Sequence, residues 1–308
     1  MKLEGIHHIT CITADAPGNV RFYAGVLGLR LVKKSVNQDD PTVYHLFYAD
    51  EEGDAGSDIT FFEYPGIPQG RAGDGMVHRI AWRVGSEDAL SFWERRLDDA
   101  GIASTKGDSF LRFRDPEGLE LEFRIVDNGD PALTARHPAI PEEFALRGFD
   151  GVRTYSSDPE GSAPFLKEGM GFDSVGTGEW ESRGAQRGSL YAYDEPPSAH
   201  GLSGAGTVHH VAWSCGLDEQ QEWRRRVGEA GADVTPIIDR YYFKSIYFRE
   251  PSGVLFEIAT RGPGFAVDEP LESLGEHLAL PPNYEHLRER LEPVLTPLPD
   301  VRELRQES

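Results

Sequence analysis

Internal repetition is the feature of this sequence that most constrains its fold. Three stretches of the first half recur in the second half in the same order, and the pairs are VHRIAWRV (77–84) with VHHVAWSC (208–215), DALSFWERRLDDAGI (88–102) with DEQQEWRRRVGEAGA (218–232), and FRDPEGLELEF (113–123) with FREPSGVLFEI (248–258). PGNVRFYAGVLGLRLV (17–32) and PEGSAPFLKEGMGFDSV (159–175) form a further pair, each a helix-like stretch ending at Gly. The repeats therefore alternate as A-B-A-B, in modules near 5–65, 76–126, 147–195 and 206–261.

The same secondary-structure pattern is expected in every module. Each begins with an alternating strand, continues with an amphipathic helix and ends with strands separated by turn signals such as DPEG and EPSG. This pattern predicts an α+β fold built from four βαβββ modules. Along the chain we expect an N-terminal domain at 1–130, a Pro-rich linker at 131–146, a C-terminal domain at 147–262 and an extension at 263–308 that packs on the second half.

The composition excludes two classes of partner. The formal net charge of -21 argues against nucleic acid, whose phosphates require Lys and Arg. No run of 18 apolar residues occurs, so no membrane-spanning helix is expected. The first residues, MKLEG, lead straight into a strand-like segment, which predicts a cytoplasmic protein. Cys11 and Cys215, the two cysteines, lie in apolar segments and are expected to be core residues.

Two histidine pairs, His7-His8 and His209-His210, each lie in the first strand of a module. Neighbouring side chains on a strand point to opposite faces, so one histidine of each pair is expected to face the interior. His8 and His210 lie on the face opposite the apolar residues of their strands. In module four the same alternation places Glu257 on the inward face, where a buried carboxylate needs a cation. The register therefore predicts that His8, His210 and Glu257 bind a metal.

The other modules offer weaker candidates. His78 aligns with the outward histidine of module four, so the ligand position of module two holds Arg79. Gly151 stands near that position in module three. Glu122 aligns with the predicted carboxylate ligand but has no histidine beside it, and Glu63 is expected to be a carboxylate at the rim. The predicted site therefore joins the first module to the last.

The ligand types indicate the metal and its chemistry. Two histidines and one carboxylate leave several coordination positions open, as in non-haem Fe(II) oxygenases, where substrate and O₂ bind side by side. Zn²⁺ usually prefers a tetrahedral site with one open position. Fe(II) is therefore the predicted cofactor, with Mn(II), which takes the same ligands, as the alternative.

The repeated modules resemble the vicinal oxygen chelate superfamily, which includes glyoxalase I, bleomycin-resistance proteins and extradiol dioxygenases. That resemblance implies that paired modules curl into open barrels, giving two domains of glyoxalase/extradiol dioxygenase-like architecture. Five stretches are similar to one subgroup, the ring-cleaving hydroquinone 1,2-dioxygenases: LEGIHHITCIT, PTVYHLFYAD, GTVHHVAW, DRYYFKSIYFREPSGVLFE and LALPPNYE. The resemblance to this subgroup spans nearly the whole chain.

Membership of this subgroup would imply a function and a set of site residues. The substrates would be O₂ and a small aromatic compound of hydroquinone or catechol type, and the ring would open next to a hydroxyl. The iron ligands would correspond to the three residues found by register. Five further residues would act beside them, namely His7, Thr10, His209, Arg240 and Tyr247. Tyr247 or a neighbouring histidine would move the phenolic proton, and Arg240 would stabilise negative charge.

Each of these roles has a structural alternative. His7 and His209 reach the substrate only if their strands are twisted or bulged there. Tyr247 is also suited to the core, Arg240 to an ion pair with its neighbour Asp239, and His45 is expected in the wall. Three functions remain open: the dioxygenase, a glyoxalase-like isomerase or lyase, and a non-catalytic binding protein. A homo-oligomer is compatible with each.

Overall fold

The computed structural model describes residues 1–307, which form two eight-stranded mixed sheets with helices packed against them. The predicted α+β class is confirmed. The strands of modules one and two are β1 (Ile6–Thr13), β2 (Arg30–Asn37), β3 (Asp40–Ala49), β4 (Asp58–Glu63), β5 (Val77–Val84), β6 (Ser104–Lys106), β7 (Phe110–Arg114) and β8 (Glu120–Ile125). Those of modules three and four are β9 (Phe149–Tyr155), β10 (Asp173–Gly176), β11 (Glu179–Arg183), β12 (Gly188–Asp194), β13 (Thr207–Cys215), β14 (Ile238–Asp239), β15 (Lys244–Arg249) and β16 (Leu255–Thr260).

One helix follows the first strand of each module. These helices are α1 (Ala16–Val20, continued by a π-helical stretch Arg21–Val26), α2 (Glu87–Asp99), α3 (Pro159–Pro164, continued by Phe165–Met170) and α4 (Gln220–Glu229). The remaining helical segments are single turns at Glu142–Phe144, Phe265–Val267, Leu271–Ser273 and Glu285–Leu287, with α5 (Arg288–Leu291) and α6 (Val301–Glu307) near the C-terminus. No helix among residues 1–307 is long and apolar enough to cross a membrane.

Helix α2 shows how these helices are fixed. The side chain of Ser86 accepts a hydrogen bond from the backbone N–H of Ala89, which satisfies a free donor at the helix start. Acidic residues fill the first turn, where they complement the helix dipole. Leu90, Trp93 and Leu97 lie at spacings of three and four and are fully buried, so this face packs on the sheet.

The two sheets pair modules that are not neighbours in sequence. β1 is antiparallel to β13, so module one shares a sheet with module four, in the order β14-β15-β16-β13-β1-β4-β3-β2. Likewise β5 is antiparallel to β9, and modules two and three form the sheet β10-β11-β12-β9-β5-β8-β7-β6. The predicted boundaries at 1–130, 131–146, 147–262 and 263–308 thus follow chain order, whereas each sheet draws on both halves.

The C-terminal extension is anchored to module one. Lys33, which is fully buried, donates to Asp268 (2.7 Å) and to the carbonyl of Phe265 (3.0 Å). The Tyr284 hydroxyl donates to the carbonyl of Gln38 (2.7 Å). The extension also contacts the second half, where the Tyr242 hydroxyl donates to Asp268 (3.0 Å). It packs on both halves because the pairing of β1 with β13 brings module one beside the chain that leaves β16.

Candidate metal centre

Three adjacent strands in the middle of the first sheet carry the three predicted ligands. His8 lies on β1, His210 on β13 and Glu257 on β16. The antiparallel pairing of β1 and β13 sets Thr10 opposite His210, and the parallel pairing of β13 and β16 sets Ala212 opposite Glu257. Residues two apart share a face, so these registers bring the three side chains together on one side of the sheet.

The three ligand atoms converge closely. The Nε2 atoms of His8 and His210 are 3.3 Å apart. Oε2 of Glu257 lies 3.3 Å from the former and 3.0 Å from the latter. All three residues are buried, and the cluster is compact enough to hold a metal ion.

Glu257 has the environment of a ligand rather than of a structural acid. Its side chain is fully buried and has no Lys or Arg partner. Oε1 accepts a hydrogen bond from the Ser245 hydroxyl, whereas Oε2 accepts none from residues 1–307. Burial alone would raise the pKa of Glu257, but His8 and His210 lower it well below its usual range. A buried carboxylate oxygen without a donor is costly unless a cation meets it, so the residues present fit a divalent metal.

A hydrogen bond behind His8 fixes its tautomer. Nε2 of His7 lies 3.1 Å from the Thr260 carbonyl, which can only accept, so His7 donates through Nε2. Burial lowers the pKa of His7 to about 3, so the ring is neutral and its Nδ1 is an acceptor. Nδ1 of His8 lies 2.9 Å from that atom and must donate to it. In the neutral ring of His8 the lone pair is therefore on Nε2, which faces His210 and Glu257.

The second histidine pair repeats this arrangement. Nδ1 of His209 lies 2.7 Å from Nδ1 of His210, and burial lowers the pKa of His209 to about 4. His7 and His209 each lie at a register shift between β1 and β13. His7 lies at the shift between Ile6 and His8, and His209 lies opposite the shift between Thr10 and Cys11. These irregularities turn His7 and His209 toward the ligands, which regular alternation does not allow.

A cavity of about 350 Å³ opens over the ligand cluster. His8, His210, His209, Arg240 and Tyr247 all line it, together with the aromatic rings Phe47, Phe62, Tyr64, Tyr242 and Phe243. The Arg240 Nε lies 3.4 Å from the Tyr247 hydroxyl, and its guanidinium lies 5.5 Å from the centre of that ring. Burial raises the pKa of Tyr247, so its hydroxyl stays protonated.

Thr10 and His7 do not line this cavity, and Arg240 lines it with a partner that differs from the expected one. Thr10 is fully buried, bonds to the Thr60 hydroxyl (2.8 Å) and does not line the cavity. His7 lines a neighbouring cavity of about 800 Å³ on the other side of Phe243. Arg240 forms its ion pair with Asp39 of module one (3.1 Å), across the cavity mouth, and not with its sequence neighbour.

The weaker ligand candidates of the other modules have partners outside the ligand cluster. His78 bonds to Asp194 (2.8 Å) and stacks on Tyr155, so it is no ligand of this centre. Glu63 accepts from Thr296 (2.8 Å), under the C-terminal extension. Glu122 lies in the second sheet among arginines. Both cysteines are buried and free, as expected.

Two residues of the site, Ser245 and Phe243, were not predicted from the sequence. Ser245, which donates to Glu257, lies two residues before Tyr247 on β15 and shares its face, a spacing that could have identified it. Phe243 contacts the rings of His7 (5.2 Å) and His8 (5.1 Å). It lies in the loop before β15, and no local pattern marks it.

Comparison with known proteins identifies relatives along the whole chain. The family profile described as "Glyoxalase/Bleomycin resistance protein/Dioxygenase superfamily" matches residues 5–123 and 148–258. "Putative ring-cleaving dioxygenase MhqO" of Bacillus subtilis is 43% identical over 312 residues, covering 98% of this chain and 99% of the relative. The chlorohydroquinone/hydroquinone 1,2-dioxygenase of Sphingobium indicum is 32% identical over 308 residues, covering 94% and 95%.

Solved structures give the same picture. A crystal structure titled "putative dioxygenase" from Bacillus subtilis superimposes with a TM-score of 0.90 at 42% identity, covering 97% of this chain and 98% of the other. Glyoxalase I from Zea mays superimposes with a TM-score of 0.59 at 13% identity, covering 83% and 92%. At this low identity the second match concerns the fold alone.

Proposed function

The chain belongs to the Glyoxalase/Bleomycin resistance protein/Dioxygenase superfamily and is similar throughout to its ring-cleaving dioxygenases, and from this premise we propose that it opens hydroquinone-type rings with O₂. The carbon–carbon bond next to a hydroxyl-bearing carbon is cleaved, and both oxygen atoms are incorporated. The observation that carries the proposal is the convergence of His8, His210 and Glu257 under a cavity lined by aromatic rings.

His8, His210 and Glu257 would hold the metal, which we propose to be Fe(II). Bound there, a divalent ion supplies positive charge that lowers the pKa of a phenolic hydroxyl, and open positions for substrate and O₂. The donor set itself, two imidazoles and one carboxylate, also suits Mn(II), so metal analysis of the isolated protein decides between the two.

The chain's own residues bind and orient the ring. Six Phe and Tyr rings line the cavity, so they can bury the faces of a flat substrate. The Tyr247 hydroxyl donates a hydrogen bond to the oxygen of the ionised substrate. Arg240, which contacts both Tyr247 and Asp39, places positive charge where the oxygen anion lies.

His209 is proposed to hold the phenolate oxygen once the phenolic proton has left to solvent. Its ring is neutral, lines the cavity and accepts at Nδ1 from His210, so its own proton is on Nε2, which can donate a hydrogen bond to that oxygen. His7 is proposed to act only through His8, by holding its Nδ1–H, because Phe243 separates it from the cavity.

The test is oxygen uptake with hydroquinone after anaerobic loading with Fe(II), in wild type and His210→Ala. We expect uptake in the wild type with a new absorbing ring-opened product, and loss of both in the variant. A glyoxalase-like isomerase needs no O₂. Absence of uptake with hydroquinones and catechols, in protein that holds one metal per chain, would therefore refute the dioxygenase.

A further inference from the structure

His45 lies on the side of the cavity opposite Tyr247 and has no part in the mechanism above. β15, which carries Tyr247, borders the strands of the proposed ligands on one side, and β3, which carries His45, lies beyond β4 on the other side. The strand pairings make Thr60 and Glu257 equivalent positions. Thr60 pairs with Thr10 on β1, and Glu257 pairs with Ala212, which holds the same position on β13. Module one therefore has a threonine where module four has its carboxylate ligand.

A chain of hydrogen bonds leads from the metal strands to His45. Thr10 and Thr60 are joined through their hydroxyls (2.8 Å), and the Thr60 hydroxyl is also bonded to Nε2 of His45 (2.8 Å). Both threonines are fully buried, so this chain is sealed from solvent below the cavity floor. This chain of hydrogen bonds fixes the orientation of the His45 ring, because Nε2 is bonded to the Thr60 hydroxyl.

The other nitrogen of His45 is free to meet a ligand. Nδ1 has no hydrogen-bond partner within residues 1–307, although the residue lines the cavity. Burial lowers the pKa of His45 well below its ordinary value, so the neutral ring carries a single N–H. If Thr60 donates to Nε2, Nδ1 is a donor. If Nε2 donates to Thr60, Nδ1 is an acceptor. A hydroxyl, which both donates and accepts, matches either state.

Phe62 contacts both His45 and the ligand side of the cavity. Its ring centroid lies 4.4 Å from that of His45 and 6.5 Å from that of His210, and all three residues line the cavity. A substrate ring lying across Phe62 would reach the ligand cluster with one edge and His45 with the opposite edge. In a hydroquinone the two hydroxyls stand on opposite edges, whereas in a catechol they are neighbours.

We propose that His45 binds, through Nδ1, the hydroxyl of the substrate that lies para to the reacting one. His45, held by Thr60 and Thr10, is thus the residue that selects para-diols. The proposal rests on the proposed function, since it assumes that a dihydroxybenzene occupies this cavity. A buried polar group left without its partner is costly, so a ring lacking the para hydroxyl is bound less tightly.

The experiment compares anaerobic binding of hydroquinone and of phenol to the Fe(II)-loaded protein, for wild type and for His45→Phe. We expect wild type to prefer hydroquinone at least about tenfold, as one lost hydrogen bond in a buried site implies. In His45→Phe the ratio should fall to about one, with the affinity for phenol unchanged. A preference that persists in the variant, or a wild type that binds both alike or neither, would overturn the proposal.

Two further variants separate hydrogen bonding from shape. His45→Gln keeps a polar end and is expected to retain part of the preference. Thr60→Val is isosteric, removes the hydroxyl that fixes His45 and is expected to reduce the preference in part, at unchanged metal content. If His45→Gln behaved as His45→Phe while Thr60→Val had no effect, the hydrogen-bond explanation would be wrong. Oxygen uptake is measured separately, so a ring preference without uptake would refute the dioxygenase and leave the role of His45 standing.

Discussion

The two sheets have the same number and arrangement of strands, and they differ most at the position of the candidate metal centre. Registers place Gly151 and Arg79 in the second sheet where the first has His8 and His210, and Glu122 where the first has Glu257. Glu122 is nearly as buried as its counterpart but is surrounded by Arg79 (3.5 Å), Arg112 and Arg124 (3.3 Å). Arginine side chains thus supply the positive charge that a metal would supply in the first sheet.

A second pair of equivalent positions differs in the same way. His209 of the first sheet faces Phe62 (5.5 Å between ring centres) and the open cavity. Its counterpart His78 bonds to Asp194, which lies where the first sheet has that phenylalanine. The polar groups of the second sheet therefore bind one another, whereas those of the first sheet line a cavity, where we propose that they bind a metal and a substrate.

The largest difference between the two sheets is expected when Glu257 and Glu122 receive the same substitution. Glu257→Gln is expected to lower activity at least about a thousandfold, because losing even an outer partner of a ligand costs about 10–100-fold. The metal bound per chain, measured by elemental analysis, should fall well below that of wild type. Normal metal content in this variant would show that the carboxylate is not a ligand.

Glu122→Gln is the matched control and should affect stability instead. Removing this charge weakens three ion pairs, although Arg79 keeps Glu120 and Arg124 keeps Asp150, so the cost in the free energy of unfolding is about 1–2 kcal/mol. Urea denaturation measures the loss, while metal content and activity are expected to match wild type. A loss of metal here would contradict the assignment of the two sheets to separate roles.

The histidines outside the ligand set give a smaller contrast. His209→Ala removes the acceptor that orients His210 and is expected to reduce metal affinity or activity about 10–100-fold. The equivalent change in the second sheet, His78→Ala, should leave both unchanged. Titration with Fe(II) and steady-state kinetics on the two variants distinguish them, and equal effects would remove the distinction between the sheets.

The smallest effect concerns pH and the second sheet alone. Hydrogen bonds from Arg153 and His78 lower the pKa of Asp194 from 3.8 to about 2. Because the folded pKa lies below the unfolded one, this contribution is complete above about pH 4 and is lost as pH falls through 2. Asp194→Asn should therefore cost about 1 kcal/mol at neutral pH, allowing for partial exposure, and this cost should disappear well below pH 2. Urea denaturation across pH checks this, and a pH-independent difference would contradict it.

The sequence predicted much of the centre because strand alternation has a fixed period. Two histidines and a glutamate at the same register position identified three side chains that the fold brings within 3.3 Å of one another. The same alignment set His78 apart from the ligands before its bond to Asp194 was known. The α+β class and the module order followed from repeats that are visible by eye.

The features that the sequence did not predict depend on contacts between segments that are distant along the chain. The register shifts at His7 and His209 arise where β1 meets β13, and no pattern within one strand specifies them. The partner of Arg240 is Asp39, which lies in another module 201 residues away. The anchoring of the extension by Lys33 was missed for the same reason, since it depends on which modules share a sheet.

The pairing of β1 with β13 also sets the order of events while the protein is being made. His8 and His210 are separated by 202 residues, so a ribosome working at about 5–20 residues per second takes about 10–40 s between them. During that interval β1 has an unpaired edge, which other strands can join. The proposed metal centre is complete only after the last module has been synthesised, and a nascent chain halted before Glu257 lacks one of the three proposed ligands.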